Sequence, residues 1–219
     1  MALAICVTTS AAVKKTNLRV LYVGGHSDME TMGIGAYDTA AYDRSAAQRM
    51  AAWETYLKEY FTTVKAISGK DYHYTMSNDY DVTIIDCSPT MKRLAFNAYL
   101  AAADSGMVVI PVKLDSTVMR GTALTVNAIQ AIADALRMPV PTFRILRTCV
   151  PGLMTNAEKT GEAVLERFFP DQQLANVIHA SSKVCEGSWQ WKPVSVFEPG
   201  SRPAKDYEAL ADELWEAMA

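Results

Sequence analysis

The fold of this chain is decided by the stretch Tyr80-Asp81-Val82-Thr83-Ile84-Ile85-Asp86-Cys87-Ser88-Pro89. Its apolar centre, rich in Val and Ile, predicts a buried β-strand. The strand ends at Asp86, which places a carboxylate at the carboxyl edge of a parallel sheet. Ligands bind at that edge in open α/β folds, so Asp86 is the first candidate for a binding residue.

Short apolar runs alternate with longer helical patterns along the chain, as they do in βαβ units around a mostly parallel sheet. The apolar runs predict strands at Leu3–Thr8, Arg19–Val23, Thr63–Ile67, Val82–Asp86, Met107–Val112, Phe143–Thr148 and Leu174–Ile178. The helical patterns predict helices at Tyr42–Tyr60, Met91–Ala103, Gly121–Leu136, Asn156–Phe169 and Ala204–Met218. We therefore predict an α/β fold with a doubly wound, mostly parallel sheet and helices on both faces.

The bulk composition limits the classes of protein to consider. The 219 residues are half hydrophobic and contain no linker or repeat, which predicts a single domain over residues 1–219. The net charge of −3 gives no global attraction to nucleic acid, so DNA binding requires a local basic patch. No run approaches the ~18 apolar residues of a membrane span, and the apolar start lacks the preceding cations of a signal peptide. We expect a cytoplasmic protein.

Four segments, in order and at suitable spacing over residues 80–214, resemble the ParA/MinD family of P-loop ATPases. Tyr80–Pro89 is similar to the family's Y-D-V-x-I-I-D-x-x-P, and Ala101–Val112 resembles its A-D-x-V-I-I-P-V strand. Val177–Gly187 resembles V-I-P-x-x-x-x-L-x-E-A, although His179 stands where that pattern has Pro. Phe197–Tyr207 is close to Y-D-P-x-S-x-x-A-x-x-Y. The resemblance implies a P-loop NTPase-like fold of the SIMIBI class.

The resemblance also implies a function and its ligands. Proteins of this family partition or position cargo, as in plasmid or chromosome segregation, and act as homodimers with an adaptor protein. The implied ligands are ATP and Mg²⁺. By register, Lys15 would contact phosphate, Pro199 would lie in the nucleotide-binding part of the last segment, and Thr16 and Asp86 would hold the metal ion.

The segment that should form the phosphate-binding loop departs from the family pattern. A ParA-type enzyme opens with a strand, K-G-G-x-G-K-T-T and a helix, and residues 10–17 stand here in that place. Alanines and a lysine replace glycines that let the loop turn tightly and approach the phosphates. Only Leu18 separates this segment from the next predicted strand, whereas a parallel crossover takes a dozen or more residues. We therefore expect impaired hydrolysis and favour a solvated turn for Lys14 and Lys15.

The C-terminal third holds the candidates for DNA and partner binding. By resemblance, nonspecific DNA contacts would come from Lys183 and Arg202, with Lys205 nearby in sequence. The tail after Asp206 is acidic, unlike the basic membrane-binding tail of MinD-type proteins, so no membrane binding is expected. Trp189 and Trp191 would either cover the core, which we favour because a strand places them on one face, or anchor a partner.

Residues 18–90 also resemble, more weakly, class I glutamine-amidotransferase-like domains such as ThuA-like proteins. That family needs a nucleophilic Cys on a tight elbow and a distant His. Cys87 follows a strand, but its neighbours are not the glycines of such an elbow, so we do not expect a catalytic pair of Cys87 and His179. Three hypotheses stay open: a ParA-like protein with impaired hydrolysis, a non-catalytic DNA- or protein-binding module on the same scaffold, and an amidotransferase-like small-molecule domain.

Overall fold

The computed structural model describes residues 3–7, 18–24, 47, 50, 51, 53–55, 57, 58, 61–87, 93–190 and 192–218, with the backbone alone at 3–7, 104 and 105. The chain divides into two compact units. The first consists of Met1–Val108 and Ile132–Thr142, and the second of Val109–Ala131 and Phe143–Ala219. The single domain expected from the length therefore stays a prediction, and each unit is described separately.

The first unit contains four strands in the order β3-β2-β4-β1. They are β1 Leu3–Val7, β2 Arg19–Gly24, β3 Thr63–Ser68 and β4 Val82–Asp86. Strand β2 pairs in parallel with both β3 and β4, which confirms the predicted α/β fold with parallel strands. Strand β1 is the exception, because it pairs with β4 in the antiparallel direction.

Helices cover both faces of this part of the sheet. The described residues from 47 to 57 are helical and form α1, whose Trp53 stacks on Tyr22 of β2 with ring centroids 4.8 Å apart. Helix α2, Arg93–Ser105, packs on the other face, where Ala98 and Ala101 join a buried cluster with strand residues. That cluster also contains Leu21, Val23, Tyr72, Ile85 and Cys87.

Side-chain hydrogen bonds at two places stabilise strands β2, β3 and β4, whose carboxyl ends form the candidate edge. At the start of β2, the backbone N–H of Arg19 donates to the Asp81 carboxylate at 2.8 Å, and the Arg19 guanidinium donates to the same carboxylate. These bonds hold the pKa of Asp81 below its ordinary value. On the outer side of β3, Glu54 of α1 accepts a hydrogen bond from the N–H of Ala66 at 3.2 Å, so a helix side chain occupies this edge-strand donor.

The second unit contains most of β5, Gly106–Val112, and its neighbour β6, Thr142–Arg147. Its helices are α3 Ser116–Leu136, most of which lies in this unit, α4 Asn156–Phe168, α5 Ser182–Trp189, α6 Val194–Phe197 and α7 Arg202–Met218. Helix α4 begins with a capping box, in which the Thr155 side chain accepts from the N–H of Glu158 and the Glu158 carboxylate accepts from the N–H of Thr155. Helix α7 buries Leu210 and Leu214.

The predicted strand Leu174–Ile178 is wrong, since this segment makes only isolated bridges on either side of it, at Gln173 and His179. The physical reason lies on α7. The Glu213 carboxylate accepts hydrogen bonds from the N–H groups of Ala175 and Asn176 at 2.6 and 2.9 Å. These donors are therefore bound to a helix side chain instead of extending a strand ladder.

Candidate functional site

Asp86 is the last residue of β4, and the parallel pairing sets its neighbours. Val23 of β2 is level with Ile85 of β4, so Gly24 and Asp86 end their strands at the same edge. Strand β3 ends there too, because Gly24 is in register with Ser68. The structure thus forms the carboxyl edge at which the sequence predicts a ligand.

The Asp86 side chain lies on the same face of the sheet as Tyr22 and α1. Side chains alternate along a strand, so Asp86 shares a face with Ile84, which is level with Tyr22. Burial raises the pKa of the Asp86 carboxyl group. Burial also raises the pKa of the Tyr22 hydroxyl, and the nearby Asp86 carboxylate adds to that rise. A cation would stabilise the half-buried Asp86 carboxylate, which lies on the same face as the Tyr22 ring.

The direction of β1 bears on the expected phosphate-binding loop, whose residues lie outside the described part of the chain. The antiparallel register places Leu3 opposite Asp86 and Val7 opposite Val82. Strand β1 therefore ends at the edge opposite Asp86, and β2 starts at that same opposite edge, with Arg19 bonded to Asp81. In a P-loop ATPase, the loop after the first strand and the Walker B aspartate occupy one edge, because both strands run in parallel.

Of the two residues expected to hold Mg²⁺, the structure describes Asp86, while Thr16 lies outside the described residues. Within the described part of the chain, no three His, Cys, Asp or Glu side chains are grouped as metal ligands. The Ser68 hydroxyl is buried and makes no hydrogen bond there, but β2 lies between Ser68 and Asp86. Two strand spacings amount to about 9–10 Å. Magnesium oxygen ligands lie at about 2.1 Å from the ion, so Ser68 is not placed beside Asp86 as a neighbouring ligand.

The other nucleotide-binding candidates lie in different parts of the chain. Lys15 and Thr16 fall outside the described residues, as does Lys14. Pro199 is described and is exposed in the second unit, between α6 and α7. Of the four nucleotide-binding candidates, the structure thus describes Asp86 and Pro199, one in each unit.

The DNA-binding candidates lie in the second unit and differ in their contacts. Lys183 of α5 donates to the Glu186 carboxylate at 2.7 Å, and this bond raises the pKa of the Lys183 ammonium. Its positive charge is therefore largely offset. Lys205 is exposed on α7. Arg202, the first residue of α7, is exposed, and its Nη2 contacts the ring Nε2 of His179 at 2.6 Å.

A cluster of His179, Asp206 and Arg202 was not predicted from the sequence. The His179 ring Nδ1 and its backbone N–H both lie 2.9 Å from Asp206 Oδ2. Arg202 and Asp206 are four residues apart, so they share one face of α7. Two signals were present in the sequence: this spacing, and a histidine where the family pattern has Pro. Neither revealed that a segment more than 20 residues away would pack against this face.

The surroundings of Trp189 and Cys87 test two predictions that were made for these side chains from the sequence. Trp189 does not cover the core, because it ends α5 with 86% of its surface exposed; the prediction assumed a strand, and the segment is a helix. Trp191 lies outside the described residues. The Cys87 side chain is 2% exposed, because it lies in the buried cluster that α2 forms with the strands. A substrate therefore has no access to the thiol as a nucleophile. The ring of His179 is already engaged by Asp206 and Arg202. A Cys87–His179 dyad is therefore not supported.

None of the helices in the described residues is long and apolar enough to cross a bilayer. Helix α7 carries the acidic residues noted in the sequence, and Asp206 and Glu213 among them accept hydrogen bonds within the second unit.

Comparison with known proteins points to one family. Residues 45–141 match a family model described as an AAA domain. The sporulation initiation inhibitor protein Soj of Bacillus subtilis is 30% identical over 139 residues, which is 64% of this chain and 53% of Soj. The chromosome partitioning protein ParA of Myxococcus xanthus is 28% identical over 139 residues, 64% of this chain and 48% of that protein. The chain spans about half the length of the curated relatives that it matches. The family-model match includes Asp86 but begins after Lys15 and Thr16.

Two solved structures of McdA superpose on this chain. Apo McdA of Cyanothece superposes with a TM-score of 0.59 at 13% identity, covering 90% of this chain and 88% of McdA. A McdA variant in complex with ATP gives a TM-score of 0.57, also at 13% identity, over 90% of this chain and 85% of McdA. At this identity the likeness establishes the fold alone.

Proposed function

We propose, on the premise that this chain belongs to the ParA/MinD-type family of P-loop ATPases, that it is a ParA-like partitioning or positioning protein that does not hydrolyse ATP by itself. In this proposal the chain keeps the fold of the family but lacks a working phosphate-binding loop. The protein would act by binding DNA and a partner protein rather than by turning over nucleotide.

The observation that carries the proposal is the antiparallel pairing of β1 with β4. Strand β1 ends and β2 begins at the edge opposite Asp86, and only residues 8–18 join them. Residues 8–18 are too few to form a P-loop and its crossover helix. An antiparallel connection needs no crossover helix, so a stretch of this length is long enough for it. P-loop enzymes bind phosphate at the N-terminus of the helix that follows their loop, and an antiparallel connection does not require such a helix.

The size of the sheet supports the same conclusion. Arg19 is level with Asp81, because Val20 is in register with Val82. The Asp86 edge is therefore five residue steps further along the sheet, about 17 Å at the usual strand rise. A metal ion bound by Asp86 and by a hydroxyl ahead of β2 would require the connection to double back over the whole length of β2.

Nucleotide assays test this part of the proposal. We expect neither ATP hydrolysis nor measurable ATP affinity at millimolar ATP with Mg²⁺, and the same result for Asp86→Asn. Isothermal titration calorimetry and a phosphate-release assay measure the two quantities. Mg²⁺-dependent hydrolysis that is lost in Asp86→Asn would overturn the proposal, because it would place a working metal site at that edge.

The second unit supports a role for DNA. Arg202 is exposed and contacts the ring Nε2 of His179, and Lys205 follows it on the same helix. Lys183 contributes less, since Glu186 pairs with it. Contacts of this kind bind the phosphate backbone without reading sequence, and few of them give weak, salt-sensitive affinity.

A salt-dependent binding assay with random duplex DNA tests the DNA component. We expect Arg202→Ala to weaken binding and to reduce the slope of log K against log salt concentration by about one. Arg120→Ala is the matched control, because Arg120 is also an exposed arginine of the second unit, on α3. Equal losses in the two variants would remove Arg202 from the proposed DNA surface.

A homodimer and an adaptor partner complete the proposal, and both come from the family alone. The exposed Trp189 and Leu153 of the second unit give a protein partner apolar side chains to contact. Light scattering after gel filtration tests the dimer. A monomer at every concentration would remove the dimer from the proposal without touching the DNA component.

A further inference from the structure

A single histidine is clamped between two residues of α7. His179 bonds to Asp206 through both its backbone N–H and its ring Nδ1, each at 2.9 Å, and its Nε2 lies 2.6 Å from Arg202 Nη2. The side chains of His179 and Asp206 are only 18% and 15% exposed. Arg202 itself is exposed, so the half-buried pair lies behind a guanidinium that faces solvent.

The chemistry of the partners fixes the state of the ring. A guanidinium carries only donors, so the Nε2 atom facing Arg202 must be an acceptor with a free lone pair. An ionised carboxylate carries only acceptors, so the Nδ1 atom facing Asp206 must carry the proton. His179 is therefore neutral and protonated at Nδ1. The Asp206 carboxylate thus orients the His179 ring through Nδ1, and the ring Nε2 orients the Arg202 guanidinium.

This arrangement depends on a residue that departs from the family pattern. His179 stands where the ParA-type segment has Pro. A proline has neither the backbone N–H that donates to Asp206 nor a ring nitrogen that accepts from Arg202. The orientation of Arg202 through a side chain at this position is thus a property of this chain's own sequence.

We propose that His179 is a positioning residue that holds the Arg202 guanidinium in place to bind a phosphate group of a nucleic-acid backbone. The proposal rests on the DNA binding put forward above and adds the residue that makes Arg202 effective. A guanidinium offers five N–H donors in a planar fork that matches phosphate oxygens. One donor is used by His179, and the others remain for phosphate.

The expected gain comes from preorganisation. A free arginine side chain loses rotamer freedom when it binds, whereas Arg202 is already held in one orientation by the ring. The charge balance agrees, because Asp206 is shielded behind the ring while the guanidinium is exposed. Removing the ring nitrogens should therefore lower DNA affinity without removing a cation.

The test compares two substitutions at one position. His179→Phe keeps a ring of similar size and removes both ring hydrogen bonds, while His179→Gln keeps an acceptor that can reach Arg202. We expect His179→Phe to weaken binding of random duplex DNA about three- to tenfold with an unchanged salt slope, and His179→Gln to restore most of the affinity. Arg202→Ala differs from both, since it also lowers the slope. Thermal unfolding of each variant checks that the fold is retained.

A spectroscopic measurement on the wild-type protein needs no variant to fold. The chain has three histidines, so long-range ¹H–¹⁵N spectra resolve each ring. We expect a protonated Nδ1 and an unprotonated Nε2 for His179. The opposite tautomer, or equal DNA affinity of wild type and His179→Phe, would overturn the inference while leaving DNA binding intact. A wild-type protein that binds no DNA at low salt would overturn both the inference and the DNA component of the proposed function.

Discussion

Glu213 is expected to be the side chain that holds α7 against the segment leading to His179, and Glu213→Ala tests this directly. Its carboxylate accepts three hydrogen bonds: from the N–H of Ala175 at 2.6 Å, from the N–H of Asn176 at 2.9 Å, and from the Asn176 side chain at 2.8 Å. No other contact between these elements in the described residues joins one side chain to two consecutive backbone donors.

The size of the effect follows from these three bonds. A hydrogen bond to a charged group contributes about 1.5–3 kcal/mol, but water can replace the carboxylate where the donors are partly exposed, as they are at residues 175 and 176. We therefore expect Glu213→Ala to lower the free energy of unfolding by about 2–3 kcal/mol. For a chain of this length, the corresponding fall in Tm is roughly 4–12 °C.

Thermal unfolding followed by circular dichroism measures the loss, and amide hydrogen exchange at Ala175 and Asn176 shows where it occurs. Glu208→Ala is the matched control, because Glu208 is an exposed glutamate on the same helix. We expect less than about 0.5 kcal/mol for the control, as is usual for exposed surface positions. Equal losses in the two variants, with unchanged exchange at residues 175 and 176, would refute this role of Glu213.

Three further substitutions test other parts of the structure. Thr155→Ala removes the side-chain half of the α4 capping box and should cost about 1 kcal/mol, measured by urea unfolding. Gly187→Ala places a Cβ 2.9 Å from the backbone oxygen of Lys192, so we expect a loss of about 1–2 kcal/mol despite the better helix propensity of alanine; an unchanged midpoint would contradict this close approach. Asp86→Asn should raise Tm at pH 7. The pKa of Asp86 is raised in the folded state, so its contribution to stability is present below the unfolded pKa and is lost as pH rises through the folded pKa. The gain should therefore shrink as pH approaches the ordinary carboxyl pKa of about 3.9, and a gain that is constant with pH would contradict the burial of this carboxylate.

The sequence predicted the elements of the candidate edge well. The apolar run before Asp86 forms β4, and the strand-and-helix alternation gives the parallel pairing of β2 with β3 and β4. These features are local, because period and composition over a few residues determine them. The spacing ahead of Arg19 also indicated correctly that a parallel crossover does not fit there.

The direction of β1 could not be predicted from its residues. An apolar run such as Leu3–Val7 reads the same in a parallel or an antiparallel pair, and only its partner decides. The same limit applies to Leu174–Ile178, whose apolar pattern predicted a strand. Two of its backbone donors, the N–H groups of Ala175 and Asn176, bond to Glu213, a residue that lies more than 30 positions away on α7. Long-range pairing of this kind leaves no local signal in the sequence.

Disulfide cross-linking of β1 to β4 measures the strand direction on which the proposed loss of the phosphate site depends. In a variant without the native cysteines, Leu3→Cys with Asp86→Cys should oxidise readily, because Cα atoms of paired antiparallel residues lie about 4.5–5.5 Å apart, within disulfide range. Val7→Cys with Asp86→Cys should remain reduced, since Val7 is level with Val82, four residue steps or about 13 Å away. Efficient cross-linking of the second pair and not the first would show that β1 runs parallel to β4 and ends beside Asp86, and the proposal that this chain has lost its ATP site would then be contradicted.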